Sequence, residues 1–343
     1  MAKEEKKEEK KILNLEEFTD WAKKLQGKDS IKTGIELETY RDFIPITPLS
    51  LRTALGIGGY AIGKIHTIDG ESSGGKSTIC YDAIGNSQKK FGKPCLLIDK
   101  EDSYTPQYGE LFGIDNSNLI ISCPHSLDEM YEIIIKALET KLFGCIVADS
   151  VTAFAPQARF EGSEQMGLES RMNSDKMRIV NDVVKDSDTA LFMIQQIRSK
   201  MGGFGDPTTV SGGLAIPFYA STRTRITRSE INRELGQNTV KFTIIKNKLN
   251  VPFKVGTVVY KWGFGFDAVS EYAELSIEFG IIKSEGKFYT PPETDIKING
   301  KKKMVQYLKD NPDYTKNVIE PLVLKYLEST GLRTDEIDDN ELT

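Results

Sequence analysis

Apolar and polar positions along this chain follow two rhythms that take turns. Short continuous apolar runs, each leading to a charge or a polar pair, recur at Lys93-Pro94-Cys95-Leu96-Leu97-Ile98-Asp99, Phe143-Gly144-Cys145-Ile146-Val147-Ala148-Asp149-Ser150 and Ala190-Leu191-Phe192-Met193-Ile194, and Lys64-Ile65-His66-Thr67-Ile68 before them also reads as a strand. Runs of this kind are parallel strands buried on both faces. Between them, the stretches opening at Thr78, from Leu127 to Leu138 and from Leu168 to Val184 carry the helical period. The alternation predicts an α/β fold with a mixed, mostly parallel sheet. Phe218-Tyr219-Ala220-Ser221, Val240 to Lys246 and Thr257-Val258-Val259-Tyr260 are expected to extend that sheet.

The flanks read differently. Asn14 and Glu17 form a capping-box pair, Leu13 and Phe18 a hydrophobic staple, and Phe18, Trp21, Ala22 and Leu25 share one helix face. That face packs either on its own domain or on a neighbouring subunit. Ile35 to Thr39 alternates as a half-buried strand does, and Leu49 to Leu55 is a short helix ended by Gly56. Beyond Asp267 the pattern predicts a helix over Leu275 to Ile282, a strand at Phe288-Tyr289, and helices over Lys301 to Leu308 and Pro321 to Leu327, with Pro321 in a first turn. The expected organisation is an N-terminal tail and helix (1–34), a core (35–268), a small α+β domain (269–330) and an acidic tail (331–343).

The chemistry centres on Gly70-Glu71-Ser72-Ser73-Gly74-Gly75-Lys76-Ser77, which fits G-x-x-x-x-G-K-[ST] between a strand and a helix that opens with Thr78. Backbone N–H groups of such a loop, with the helix N-terminus, hold phosphate oxygens. Lys76 reaches the β- and γ-phosphates of ATP, and Ser77 sets its hydroxyl on Mg2+. Asp149 ends a later apolar strand, as the acid beside the bound metal does. Glu101, just past the strand ending at Asp99, is the candidate carboxylate for activating water. Tyr108 can stack on a base. Gln196, at the end of the 190–194 strand, can hydrogen-bond a γ-phosphate. The stretch Ser199 to Gly213, rich in Gly and Thr and entered past Arg198 and Lys200, suits a strand of nucleic acid. Arg159 to Gly167 reads as a loop, and Lys246-Asn247-Lys248 sets two lysines at a strand end.

Bulk composition narrows the field. Among 343 residues there are two histidines, too few for a multi-histidine metal site, and His66 lies in a strand as a structural residue would. The four cysteines, Cys80, Cys95, Cys123 and Cys145, form no C-x-x-C pair, and all four read as buried free thiols of a reducing, cytoplasmic compartment. No apolar run is long enough to span a membrane and no secretory signal opens the chain. The net charge of −5 means that nucleic acid would have to be held by local basic groups.

Taken in order, the phosphate loop, Leu97-Ile98-Asp99-Lys100-Glu101, Ile146-Val147-Ala148-Asp149-Ser150, Met166-Gly167-Leu168, Arg171-Met172, Gln196-Ile197-Arg198, Gly212-Gly213 with Phe218-Tyr219-Ala220-Ser221, and Lys246-Asn247-Lys248 with Pro252-Phe253-Lys254 resemble the RecA family of recombinases over nearly the whole chain. The resemblance implies a RecA-type P-loop ATPase core. It implies a DNA-dependent ATPase that forms a helical filament on single-stranded DNA and exchanges strands with double-stranded DNA in recombination and repair, helped by single-strand-binding or mediator proteins. It gives Glu101 the water, Gln196 the γ-phosphate, Tyr108 the adenine, and Lys246 and Lys248 the nucleotide of the adjacent subunit. It makes Met166 and Met201 wedges between base triplets, lines the DNA with Gly167, Ser211, Gly212 and Gly213, and sets Arg171, Arg178 and Arg198 on phosphates. The N-terminal helix then packs on a neighbour. Several positions depart from the family pattern. The loop lacks a Pro after Gly70 and doubles the glycine before Lys76; Gln195, Thr105 and Pro217 stand where the family commonly has Asn, an acid and Lys. These departures mark a divergent member, of the kind a bacteriophage carries. The alternatives are a ring motor of the same fold, against which Lys246, Lys248 and the Gly/Thr-rich loop argue, and a filament that binds ATP without hydrolysing it, against which Glu101, Asp149 and Gln196 argue.

Overall fold

A computed structural model describes residues 14–26, 34, 41–162, 167–199, 208–210 and 212–332. The chain divides into two compact units, Met1–Thr39 and Tyr40–Thr343. In the first, α1 (Leu15–Gln26) carries the expected capping box: Glu17 N–H donates to Asn14 Oδ1 at 2.9 Å and Asn14 N–H to Glu17 Oε2 at 3.2 Å. Leu15, Phe18, Trp21 and Leu25 of this helix are exposed. Leu13 of the expected staple and the expected strand at Ile35–Thr39 lie outside the described residues.

The second unit opens with β1 (Phe43–Pro45), α2 (Leu49–Leu55) and β2 (Gly59–Ala61). The α/β run follows: β3 (Lys64–Gly70), α3 (Lys76–Phe91), β4 (Cys95–Asp99), α4 (Pro106–Glu110), β5 (Leu119–Ser122), α5 (Leu127–Thr140), β6 (Cys145–Asp149), α6 (Gln157–Phe160), α7 (Leu168–Asp186) and β7 (Ala190–Ser199). Then come β8 (Thr208–Val210), α8 (Ala215–Tyr219), β9 (Thr222–Asn232), β10 (Gln237–Asn247), β11 (Val255–Lys261) and β12 (Gly265–Phe266). The sheet order is β12-β11-β10-β9-β3-β7-β6-β4-β5, with β8 paired to β7 alone. From β9 to β5 neighbouring strands are parallel, and from β9 to β12 they are antiparallel. Strands at the middle of the sheet alternate between two buried clusters. Ile68, Leu97, Val147 and Phe192 belong to the cluster that α3 completes with Ile79 and Ile84; Ile65, Ile98, Ile146 and Leu191 belong to the one that α5 and α7 complete with Ile134 and Val180. Both faces being covered is why these strands read as unbroken apolar runs.

A third cluster is built from α9 (Ala268–Glu278), the small sheet β13 (Lys283–Glu285), β14 (Phe288–Thr290) and β15 (Ile298–Asn299), and the helices α10 (Lys301–Asp310), α11 (Pro312–Tyr314) and α12 (Glu320–Ser329), together with Leu49 of α2.

Four sequence expectations are corrected. Phe218 to Ser221 is no strand: residues 215–219 are helical, and Pro217, which has no N–H to give a ladder, fits a helical turn instead. The stretch from Ser199 to Gly213 is not wholly irregular, since Ile197–Ser199 pair with Thr208–Val210 as an antiparallel stem. The helix expected from Leu275 begins at Ala268, where Asp267 caps it by accepting from Ser270 N–H. Pro321, by contrast, stands in the first turn of α12 as expected, directly after the π-turn at Thr315–Ile319. Cys123, finally, is exposed, because it lies just past the end of the edge strand β5, while Cys80, Cys95 and Cys145 are buried.

Candidate nucleotide site and nucleic-acid interface

The phosphate loop leaves β3 at Gly70 and becomes α3 at Lys76. Lys76 Nζ donates to the Glu71 carbonyl at 2.6 Å, so the ammonium is already turned into the loop it would serve. Burial lowers its pKa, against the pull of Asp149, Glu101 and Asp69. Ser77 Oγ donates to Asp149 Oδ2 at 2.5 Å, bringing β6 to the start of α3. Burial raises the Asp149 pKa and the nearby Asp99 and Glu101 charges add to it, while Ser77 and Lys76 oppose. One hydroxyl and one carboxylate, short of positive charge, fit Mg2+, which keeps most of its ligands as water and phosphate oxygen. No group of three or more His, Cys, Asp or Glu side chains that could hold a metal ion occurs among the described residues.

The turn after β4 is built on Asp99. Its carboxylate accepts the N–H groups of Glu101 (3.2 Å), Ser103 (2.7 Å) and Tyr104 (2.8 Å). This fixes the path of the exposed Glu101, whose charge reaches both Lys76 and Asp149. Across the loop, Gln196 of β7 is in register with Gly70 of β3. Tyr108 on α4 bonds through its hydroxyl to Thr78 (3.1 Å) and to Tyr260 of β11 (2.8 Å), with its ring edge-on to Tyr81 and Phe112. The sequence reading missed Tyr260 because it lies in an ordinary strand pattern far along the chain.

Lys246 and Lys248 sit at the end of β10 and just beyond it. Lys246 Nζ donates to the carbonyls of Pro217 (2.8 Å) and Phe218 (2.7 Å), closing the last turn of α8. Burial, then the charges of Lys248 and Arg223, lower its pKa to about 8. Lys248 is exposed. Arg223 and its buried partner Asp69, bonded at 2.5 Å, were also missed; Asp69 lies in a strand that already holds Lys64, His66 and Thr67, so no local pattern singles it out.

At the nucleic-acid candidates, Gly167 caps α7, and Arg171 and Arg178 are exposed on that helix at i and i+7. Gly212 and Gly213 lie against the first turns of α7: Asn173 Nδ2 donates to the Gly212 carbonyl at 2.7 Å, and a Cβ at Gly213 would come within 2.9 Å of Ser170 Oγ. Both glycines have left-handed φ, 86° and 89°. The bases of the two loops are thus joined. Arg198 belongs to β7, and Met166, Met201 and Ser211 lie outside the described residues.

The family model for the RecA N-terminal domain matches residues 14–267. "Protein RecA" of Corynebacterium aurimucosum is 36% identical over 280 residues, covering 79% of this chain and 74% of that protein. "Protein RecA" of Francisella philomiragia is 35% identical over 91% of this chain and 89% of its own length. "Protein RecA" of Lactobacillus acidophilus is 32% identical over 99% and 93%.

Proposed function

Because this chain belongs to the RecA family, we propose that it is a DNA-dependent ATPase that assembles as a helical filament on single-stranded DNA and promotes homologous pairing and strand exchange with double-stranded DNA. One observation carries the reading. Strand β7, which sets Gln196 beside Gly70, continues through Ile197–Ser199 into the paired stem of the Gly/Thr-rich loop. Phosphate contact and DNA contact share one strand.

Lys76 neutralises the β- and γ-phosphate oxygens of ATP, and the backbone from Gly70 to Thr78 cradles them. Ser77 and Asp149 would hold Mg2+, which would supply positive charge to offset that of the phosphates. Glu101 takes the proton from the attacking water. Gln196 donates to the γ-phosphate and draws β7, and with it the loop stem, into the DNA-binding arrangement. Tyr108, with Tyr260, lines the adenine. Lys246 and Lys248 meet the nucleotide of the adjacent subunit and offset charge in the transition state. Arg171, Arg178 and Arg198 bind DNA phosphates, Met166 and Met201 enter between bases, and Gly167, Ser211, Gly212 and Gly213 bring the backbone close to the strand. Residues 1–34 dock on the next subunit, a head-to-tail contact that gives an open helix; residues 269–330 form an appended domain and 331–343 an acidic tail.

ATP hydrolysis with and without single-stranded DNA, at low and moderate salt, tests this. DNA stimulation that weakens with salt and vanishes in Lys76→Ala is expected, with filaments in micrographs. Equal hydrolysis with and without DNA, or rings, would favour a motor of another kind; ATP binding without hydrolysis would leave a structural filament.

A further inference from the structure

A line of polar side chains crosses four adjacent strands beside the phosphate loop. Gln195 of β7 is in register with Asp69 of β3, and Arg223 of β9 is in register with Lys246 of β10. Arg223 closes the middle of the line: its Nε and Nη2 both donate to Asp69 Oδ2, at 3.1 and 2.5 Å. The Asp69 side chain is 0% exposed and that of Arg223 20%. Asp69 Oδ1 and both amide atoms of Gln195 have no hydrogen-bond partner among the described residues. The guanidinium is therefore the chief counter-charge of this carboxylate, and the carboxylate in turn holds the guanidinium on the β3 side of its strand.

We propose that Asp69 is a positioning residue for Lys246: by binding and neutralising Arg223, it lets Lys246 stay a cation where it must meet the neighbouring subunit's nucleotide. This role presupposes the assignment of Lys246 made above. Lys246 is poorly placed to hold its charge unaided. Its Nζ has two carbonyl acceptors but no carboxylate, and the charges that bear on it, Lys248 on its own side and Arg223 across the strand pair, are both cations. On the neighbouring elements stand Arg225 of β9, in register with Asp69, Lys254 just before β11 and Tyr219 of α8. An unneutralised guanidinium beside a half-buried ammonium favours loss of the ammonium's proton, and Asp69 is the group placed to limit this. The arrangement also ties the two sides of one chain together, since the strand feeding its own phosphate loop sets the charge of the lysine it offers to the next subunit.

The test is the pH profile, from about 6.5 to 9.5, of DNA-stimulated ATP hydrolysis by the full chain at saturating ATP and DNA. The wild type is expected to lose rate on an alkaline limb as Lys246 loses its proton. Asp69→Asn keeps the shape, removes the charge and should move that limb down by about half to one pH unit. Arg223→Gln should move it up, and Asp69→Asn with Arg223→Gln should return it close to the wild-type position. A purely structural role would lower the rate by one factor at every pH and leave the limb unmoved, and that result overturns the proposal. Should Asp69→Asn fail to fold, Arg223→Gln carries the test alone, an unmoved limb again overturning it. Lys246→Arg separates the two levels. A limb lost in Lys246→Arg but unmoved by Asp69→Asn refutes the role of Asp69 alone, whereas a limb that survives Lys246→Arg refutes the assignment of Lys246 itself.

Discussion

Glu271 offers a sharp test of how the third cluster is fastened to the core. It lies on α9, is fully buried, and sends its carboxylate to the N-terminus of α2, where Ser50 N–H donates to it at 2.6 Å. Helix α2 has Pro48 at its cap position and no side-chain cap of its own, so an acid from far along the chain fills that place. Burial raises the Glu271 pKa from 4.5 to about 7, against the hydrogen bonds from Ser50 and Leu49 and the charge of Arg52. The folded protein therefore binds this proton more tightly than the unfolded chain does. The sign follows: the stability tied to the proton is fully present below 4.5 and is lost as pH rises through about 7.

At 1.36 kcal/mol per pH unit, the full loss is about 3.4 kcal/mol, of which about 2 kcal/mol falls between pH 5.5 and 8.5. Glu271→Gln keeps an acceptor for Ser50 N–H and cannot ionise. Urea unfolding of both proteins across that range measures the effect. The stability of Glu271→Gln relative to wild type should climb by about 2 kcal/mol from pH 5.5 to 8.5. Asp82, raised to about 6 by burial, titrates in both proteins and cancels in the difference. A difference that stays constant with pH would refute the reasoning, because the carboxyl would then have the same pKa in the folded and unfolded chains.

Three further outcomes are expected. Glu101→Gln should lower DNA-stimulated hydrolysis by about 100-fold or more while nucleotide binding persists, as measured by single-turnover kinetics and equilibrium binding; unchanged turnover would remove Glu101 from the reaction. Asp267 is 6% exposed and pairs with Lys309 at 2.6 Å and Lys261 at 3.4 Å while capping α9, so Asp267→Asn should cost about 2 kcal/mol, read from the urea midpoint at pH 7. Gly85→Ala should cost about 3 kcal/mol, because its Cβ would lie 1.9 Å from the Phe112 carbonyl and force α3 off the α4 segment; an unchanged melting temperature would show that the segment yields freely.

Much of this molecule can be read along the chain because its central strands are covered on both faces. Cys145 to Asp149 is apolar at every position up to its acid, and each position is buried, so the local pattern and the tertiary environment carry the same information. The phosphate loop is legible for a related reason, since its geometry is local to a few consecutive residues. Where a residue's role depends on something distant, the pattern misleads. Phe218-Tyr219 has the composition of a strand, yet Pro217 and the Lys246 ammonium make it the last turn of a helix. Ser199 to Gly213 has the composition of a loop, yet its ends pair because β7 outruns the sheet.

The same distinction explains why the acids that matter most to stability and to charge placement were the hardest to find. Asp99, Glu101 and Asp149 stand at strand ends, where an acid after an apolar run is itself a signal. Asp69 and Glu271 each act on a partner 154 and 221 residues away, and nothing in a window of sequence distinguishes them from a solvated charge. What identifies them is burial combined with a counter-group, a property of the sheet register for Asp69 and of helix packing for Glu271. A buried acid whose partner sits on another element couples those two elements: β3 to β9 in one case, α9 to α2 in the other. In this fold the first coupling runs between the phosphate loop and the strand pair that ends in Lys246, so if Lys246 has the role proposed for it, loss of the Asp69 charge should move the alkaline limb of hydrolysis.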